Sequence, residues 1–138
     1  MKYKEVKEHY KSGKLERHYS VDENGNKRGE SRGYHANGQL WWRTIRLNYS
    51  DYGEAKIFVE DGTLYHHYLM DGNGKEIATV IQYGEESTHS EEELIEMAKE
   101  HGVPLLSELP KTEAEVTLWN LKYPDYPCLP ICENPAIE

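Results

Sequence analysis

Glycine-centred turns recur through the first 84 residues at an interval regular enough to leave few folds open. The turn glycines are Gly13, Gly25, Gly38, Gly62 and Gly74, with gaps of 12, 13, 24 and 12 residues. The gap of 24 is twice the step, and Asn48-Tyr49-Ser50-Asp51-Tyr52-Gly53 reads as a longer loop in the place of the missing turn. Tyr34-His35-Ala36-Asn37-Gly38-Gln39-Leu40 gives the pattern in its fullest form: a strand end, a turn and a strand start. Asn37-Gly38 fits the centre of a two-residue hairpin, where both residues need positive φ. Between turns the chain alternates with period two. Leu15, Arg17, Tyr19 and Val21 oppose Glu16, His18 and Ser20; Trp41, Arg43, Ile45 and Leu47 oppose Leu40, Trp42, Thr44 and Arg46. Such alternation marks half-buried strands, and it sends the rings of Trp41 and Trp42 to opposite faces of a sheet. The polar run at about 27–35 is expected at an edge or strongly exposed.

Alternate turns share more than glycine. Leu15, Leu40 and Leu64 each follow a turn glycine by two residues, and Tyr10, Tyr34 and Phe58 precede the same turns. The unit is therefore about 24 residues, two strands and two turns, which is a repeat period. From residue 85 the pattern changes. Ser90-Glu91-Glu92-Glu93 and Thr112-Glu113-Ala114-Glu115 are capping boxes that open helices at about 91–101 and 113–122. The first presents Leu94, Ile95 and Ala98 and stops at Gly102; the second presents Val116, Trp119 and Leu121. The prolines after Tyr123 exclude helix and central strand, so an extended segment over the sheet or its end is expected. The expected fold is mainly β with an α appendage. A single-layer antiparallel β-meander of hairpin repeats spans 1–84. An acidic segment of two short helices and a Pro-rich C-terminal tail, residues 85–138, packs on or caps the sheet.

Composition fits a thin sheet. Tyr numbers 11 and Trp 3, against a single Phe, and their polar tips need water or a hydrogen-bond partner. Residues 1–84 carry 13 Lys or Arg and 12 Asp or Glu, whereas residues 85–138 carry 3 and 13. The acidity of the last third repels nucleic acid and anionic membranes and attracts basic protein surfaces. No apolar run has the length of a membrane span, and no signal-peptide pattern is seen, so a cytoplasmic protein is expected. Cys128 and Cys132 read as cytosolic thiols, because a disulfide closing so short a loop adds little.

The stretch Tyr34–Leu40 resembles the bacterial variant of the MORN repeat, in which an aromatic, an Asn-Gly and a leucine recur every twenty-odd residues. Phe58-Val59-Glu60-Asp61-Gly62-Thr63-Leu64 matches with Asp for Asn, and Tyr10-Lys11-Ser12-Gly13-Lys14-Leu15 with Ser for Asn and one residue fewer. The likeness covers about residues 3–83. It implies an elongated, twisted antiparallel sheet and, for the bacterial members, an antitoxin-like role. It carries no catalytic residues.

The residues themselves nominate no catalytic, cofactor or metal site. His66 and His67 point to opposite faces of a strand and cannot share one metal. Gly72-Asn73-Gly74 is accounted for by a hairpin turn. The residues expected to meet a partner are Tyr34, Trp41, Trp42, Arg43, Tyr65 and His67 on the sheet, with Tyr49 at the end of the tryptophan strand, and Glu92 and Glu96 on the acidic helix. Trp, Tyr and Arg dominate interface energies. The leading expectation is a non-enzymatic protein that occupies and neutralises another protein with a basic surface, as an antitoxin, immunity protein or phage-type inhibitor does. The alternatives are an acidic nucleic-acid mimic and a small-molecule-binding or hydrolytic protein using sheet His and Tyr residues. An open sheet edge also allows a homodimer.

Overall fold

The computed structural model describes residues 3–47, 50–126 and 128. Eight strands follow one another in chain order, each antiparallel to the last: β1 Lys4–His9, β2 Leu15–Val21, β3 Gly29–Tyr34, β4 Leu40–Leu47, β5 Ser50–Phe58, β6 Leu64–Asp71, β7 Glu76–Gln82 and β8 Glu85–Glu86. Helices α1 (Glu91–His101) and α2 (Glu113–Lys122) come after the sheet, with a 3-10 turn at Leu106–Glu108 between them. The meander, the two helices and their bounds agree with the sequence. Residues 50–53 of the expected loop are strand instead, because β5 already begins at Ser50.

The turns differ from the two-residue hairpin. At Tyr10, Asp22, His35 and Val59 the backbone N–H donates to the carbonyl four residues on, and the carbonyl accepts from the turn glycine three residues on. Each is a three-residue loop, a type I turn closed by a glycine in the left-handed region. Gly38 has φ 90°, and Asn37 is not among the positive-φ residues. Asn37 instead accepts from the N–H of Gln39 at 2.9 Å and donates through Nδ2 to the carbonyl of Glu60 at 2.9 Å. Similar bonds run from Tyr10 Oη to the Tyr34 carbonyl and between His35 Nε2 and the Phe58 carbonyl. Each spans one repeat, so the repeats are stitched together at the turn end of the sheet.

A bulge recurs beside these turns. Gly33 pairs with Trp42 and Tyr34 with Leu40, which leaves Trp41 without an opposite residue. The same irregularity skips Glu16 and Tyr65, also three residues after a turn glycine. A bulge puts two successive side chains against one. Trp41 and Trp42 therefore stand together, with ring centroids 5.2 Å apart, rather than on opposite faces. The Trp42 ring lies over Gly33, where an added Cβ would come within 2.4 Å of it.

The third strand is a further correction. All six residues of β3 are buried, and it runs between β2 and β4 inside the sheet. Its charged residues are satisfied there: Arg32 donates twice to Glu30 at 2.9 Å, and Arg43 of β4 donates to the same carboxylate at 2.7 Å.

The C-terminal segment covers the face that carries Ile45, Leu69 and Ala78. Leu69, Ala78 and Val80 pack with Leu94, Ala98 and Val103; Ile45 packs with Leu106, Leu109, Trp119 and Tyr123. Ser90 and Glu93 form the expected reciprocal cap of α1, and Gly102 closes it in the left-handed conformation. At α2, Thr112 accepts from the N–H of Glu115, but the Glu115 carboxylate reaches the N–H of Lys111 rather than Thr112. Ile95 and Leu121, expected on the apolar faces of α1 and α2, are 44% and 75% exposed. Tyr126 stacks on Tyr52 at 4.4 Å, so the first part of the Pro-rich tail does lie on the sheet. Cys128 is half-buried at the same cluster; Cys132 and Tyr49 lie outside the described residues.

Candidate functional site

Side chains alternate across each strand, so directly paired residues form rows across one face of the sheet. On the covered face one row runs Lys7, His18, Arg32, Arg43, Lys56, His67 across six strands. The four lysines and arginines of this row would repel one another, and three glutamates in the adjacent row offset them. Glu5 bonds His18 at 2.6 Å, Glu30 bonds Arg43 at 2.7 Å, and Glu54 bonds His67 at 2.6 Å. Each of these pairs is 13 residues apart in sequence. The pattern is Glu-x-Lys/Arg followed by a basic residue: Glu5, Lys7, His18; Glu30, Arg32, Arg43; Glu54, Lys56, His67. It repeats with the turn period. That signal is present in the sequence and passed unnoticed beside the glycines.

The third unit of this ladder is where the cover docks. Between Arg43 and Arg46 the pairing of β4 with β5 is irregular, and Gly53 there adopts φ 82°. The chain at Pro104 fits into the gap. Its carbonyl accepts from the N–H of Glu54 at 2.9 Å, and the N–H of Leu106 donates to Glu54 Oε1 at 2.8 Å. Glu54 is thus bonded to His67 on one oxygen and to the cover on the other. Burial alone would raise its pKa. The bonds from His67 and Leu106, together with the charges of His67 and Lys56, outweigh burial and lower it. The carboxylate stays ionised and can only accept, so His67 Nε2 is the donor. His67 Nδ1 is buried with no hydrogen-bond partner among the described residues.

Above these residues, between the sheet and the α1-to-3-10 segment, opens a cleft of about 770 Å³. Its floor holds Arg43, Glu54, Lys56 and His67; Leu40, Phe58, Leu94 and Leu105 form apolar walls; Asn37, Gln39 and Glu91 stand at its rim side. Such a volume is that of a small-molecule site. No group of three or more His, Cys, Asp or Glu positioned for a metal occurs among the described residues.

A second feature lies at the bulges. Trp41 and Tyr65 are 41% and 39% exposed and line a shallow depression with His35, Ile57, Val59 and Asp61. Trp41 stacks on His35 at 4.7 Å, and Tyr65 meets Tyr83 edge-on at 5.9 Å. Tyr83 is 70% exposed and has φ 54°, the one non-glycine with positive φ among the described residues. With Gly84 at φ 80° it makes the two-residue turn between β7 and β8, in a position that favours Asn, Asp or Gly.

The expected partner-binding residues therefore do not form one surface. Trp41 and Tyr65 meet at the exposed depression, with Trp42 beside them. Arg43 and His67 lie in the cleft on the covered face. Glu92 and Glu96 are exposed on α1. Tyr34 is 2% exposed and offers a partner no side-chain surface. Tyr83 was missed because a turn flanked by Gln82 and Glu85 gives no periodic signal.

These features define a β-meander with a helical cover, a cleft between the two and an exposed aromatic depression. No protein-family model, curated protein or solved structure matches the chain. No helix among the described residues is long and apolar enough to cross a membrane.

Proposed function

We propose that this protein is a non-catalytic binding module of the cytoplasm that occupies another protein through the depression around Trp41, Tyr65 and Tyr83. The observation that carries the reading is Tyr83. A tyrosine in the left-handed region costs about 1–3 kcal/mol relative to a residue suited to it. Here that cost keeps a ring in solvent against Tyr65, at the side of the depression that Tyr65 and Trp41 line, where it contributes little to the fold. Three aromatics around a shallow depression have the composition of an interface centre. Glu60 and Asp61, which line it, favour a partner whose matching surface is basic. Occupation and neutralisation of that partner follow from the resemblance to antitoxin-like repeat proteins.

Tyr83→Asn separates stability from binding. Asparagine suits the turn, so the variant is expected to be more stable by about 1–2 kcal/mol. The same change is expected to weaken partner binding by about thirtyfold or more, as loss of an interface centre does. Affinity capture from the host lysate with quantitative mass spectrometry identifies the partner. Titration of the purified partner with wild type, Tyr83→Asn and Trp41→Ala then measures the effect. A stoichiometric partner held equally by all three proteins, or no such partner, would sink the proposal.

A further inference from the structure

The cleft on the covered face is a separate site, and its chemistry is legible. Arg43 donates through Nε to Glu30, and no hydrogen bond to another described residue occupies its terminal nitrogens. Lys56, its direct cross-strand partner, has no ion pair or hydrogen bond to another described residue. Its charge acts on Glu54 without a bond to it. The Glu54 oxygens are already engaged by His67 and Leu106. Two cationic heads thus converge on the floor of a cleft whose walls are Leu40, Phe58, Leu94 and Leu105. His67 lines the same floor with a buried, unpartnered ring nitrogen. Buried polar atoms without partners are uncommon in folded proteins, but this nitrogen has almost no accessible surface, so the case for a ligand rests on Arg43 and Lys56.

From this arrangement we infer that the cleft binds a small amphiphilic carboxylate, its head on Arg43 and Lys56 and its apolar body between the sheet and α1. A single negative charge suits the site better than a dianion. One of the two cations is shared with Glu30, and Glu91 stands at the cleft lining. An organic cation would meet two like charges at the floor. A neutral molecule would leave the ammonium of Lys56 desolvated and unpaired, which is unfavourable.

Three probes with one apolar chain and different heads test this: octanoate, octanol and octylamine. Binding of each to the full chain is measured by calorimetry, with protein NMR to locate it. Octanoate is expected to bind with 1:1 stoichiometry and to shift the methyl resonances of Leu40, Leu94 and Leu105. Octanol and octylamine should bind at least tenfold more weakly. Lys56→Gln, a half-exposed position whose change leaves the Glu30 and Glu54 bonds in place, should weaken octanoate about tenfold and strengthen octanol, because no ammonium is then left unpaired. Equal binding of octanoate and octylamine would overturn the inference. So would octanoate shifts confined to residues outside the cleft, or octanoate binding unaffected by Lys56→Gln. The aromatic depression is not involved, so Tyr83→Asn should bind octanoate as wild type does.

Discussion

Gly53→Ala is expected to destabilise the protein by about 3 kcal/mol or more, far beyond an ordinary glycine substitution. Two causes add. The residue has φ 82°, where a Cβ costs about 1–2 kcal/mol. The new Cβ would also come within 2.3 Å of the Pro104 carbonyl oxygen and 2.9 Å of its ring carbons. Neither is the loose end of a side chain, so relief requires the backbone at Pro104 to withdraw. Withdrawal breaks the bond from the Glu54 N–H and pulls Leu106 from the Glu54 carboxylate. The cover would then come off Ile45 and Leu69 as well. Gly25→Ala is the control. It has nearly the same φ, 81°, but open space where the Cβ would go. Urea unfolding of both variants should show the Gly53 change costing at least 1.5 to 2 kcal/mol more, a margin set by the lost bonds and contacts. Equal losses would mean that backbone strain alone matters and that Pro104 is not a fixed docking point.

The parts of this fold that were legible are those specified within a few residues. Turn glycines and period-two alternation locate the strands because both act locally. Ser90 with Glu93, and Gly102, locate α1 for the same reason. Reading failed where a residue's environment is supplied by a strand 13 or more residues away. Glu30-Ser31-Arg32 looks like exposed sequence, and it is buried because Arg43 arrives from the next strand to share the Glu30 carboxylate. The Trp41–Trp42 error has another origin. Strict alternation does not survive a bulge, because one extra residue reverses every face assignment on one side of it. The bulge still has a sequence position, three residues after the turn glycine, where Trp41 and Tyr65 both fall. The covered face could not be read at all. It is set by the irregularity at Gly53, which admits Pro104, and nothing near Pro104 in sequence announces that fit.

Glu54 is the second position where one side chain carries a large effect. Glu54→Ala is expected to cost about 3–5 kcal/mol, the range for removing one member of a buried, hydrogen-bonded pair. It leaves the Nε2–H of His67 and the N–H of Leu106 without their acceptor. Glu54→Gln keeps the shape but has one oxygen for two donors, so one of them faces an NH₂ group. The pH dependence distinguishes a buried ion from a mere packing role. The folded carboxyl has a pKa below the ordinary glutamate value of 4.5. Its contribution is therefore fully present above that value and is lost as pH falls through the lower folded one. Wild type should lose stability over this acid window, and Glu54→Gln, which cannot titrate there, should show a shallower slope. Asp22, Asp61 and Asp71 also have lowered pKa values, but all three are unchanged in the variant and add the same slope to both proteins. Subtracting the two unfolding profiles from pH 3 to pH 7 isolates Glu54. A difference that stays constant with pH would show that the residue acts through shape alone. A difference that shrinks toward acid would establish the ionised carboxylate as the joint between the repeat ladder and its cover.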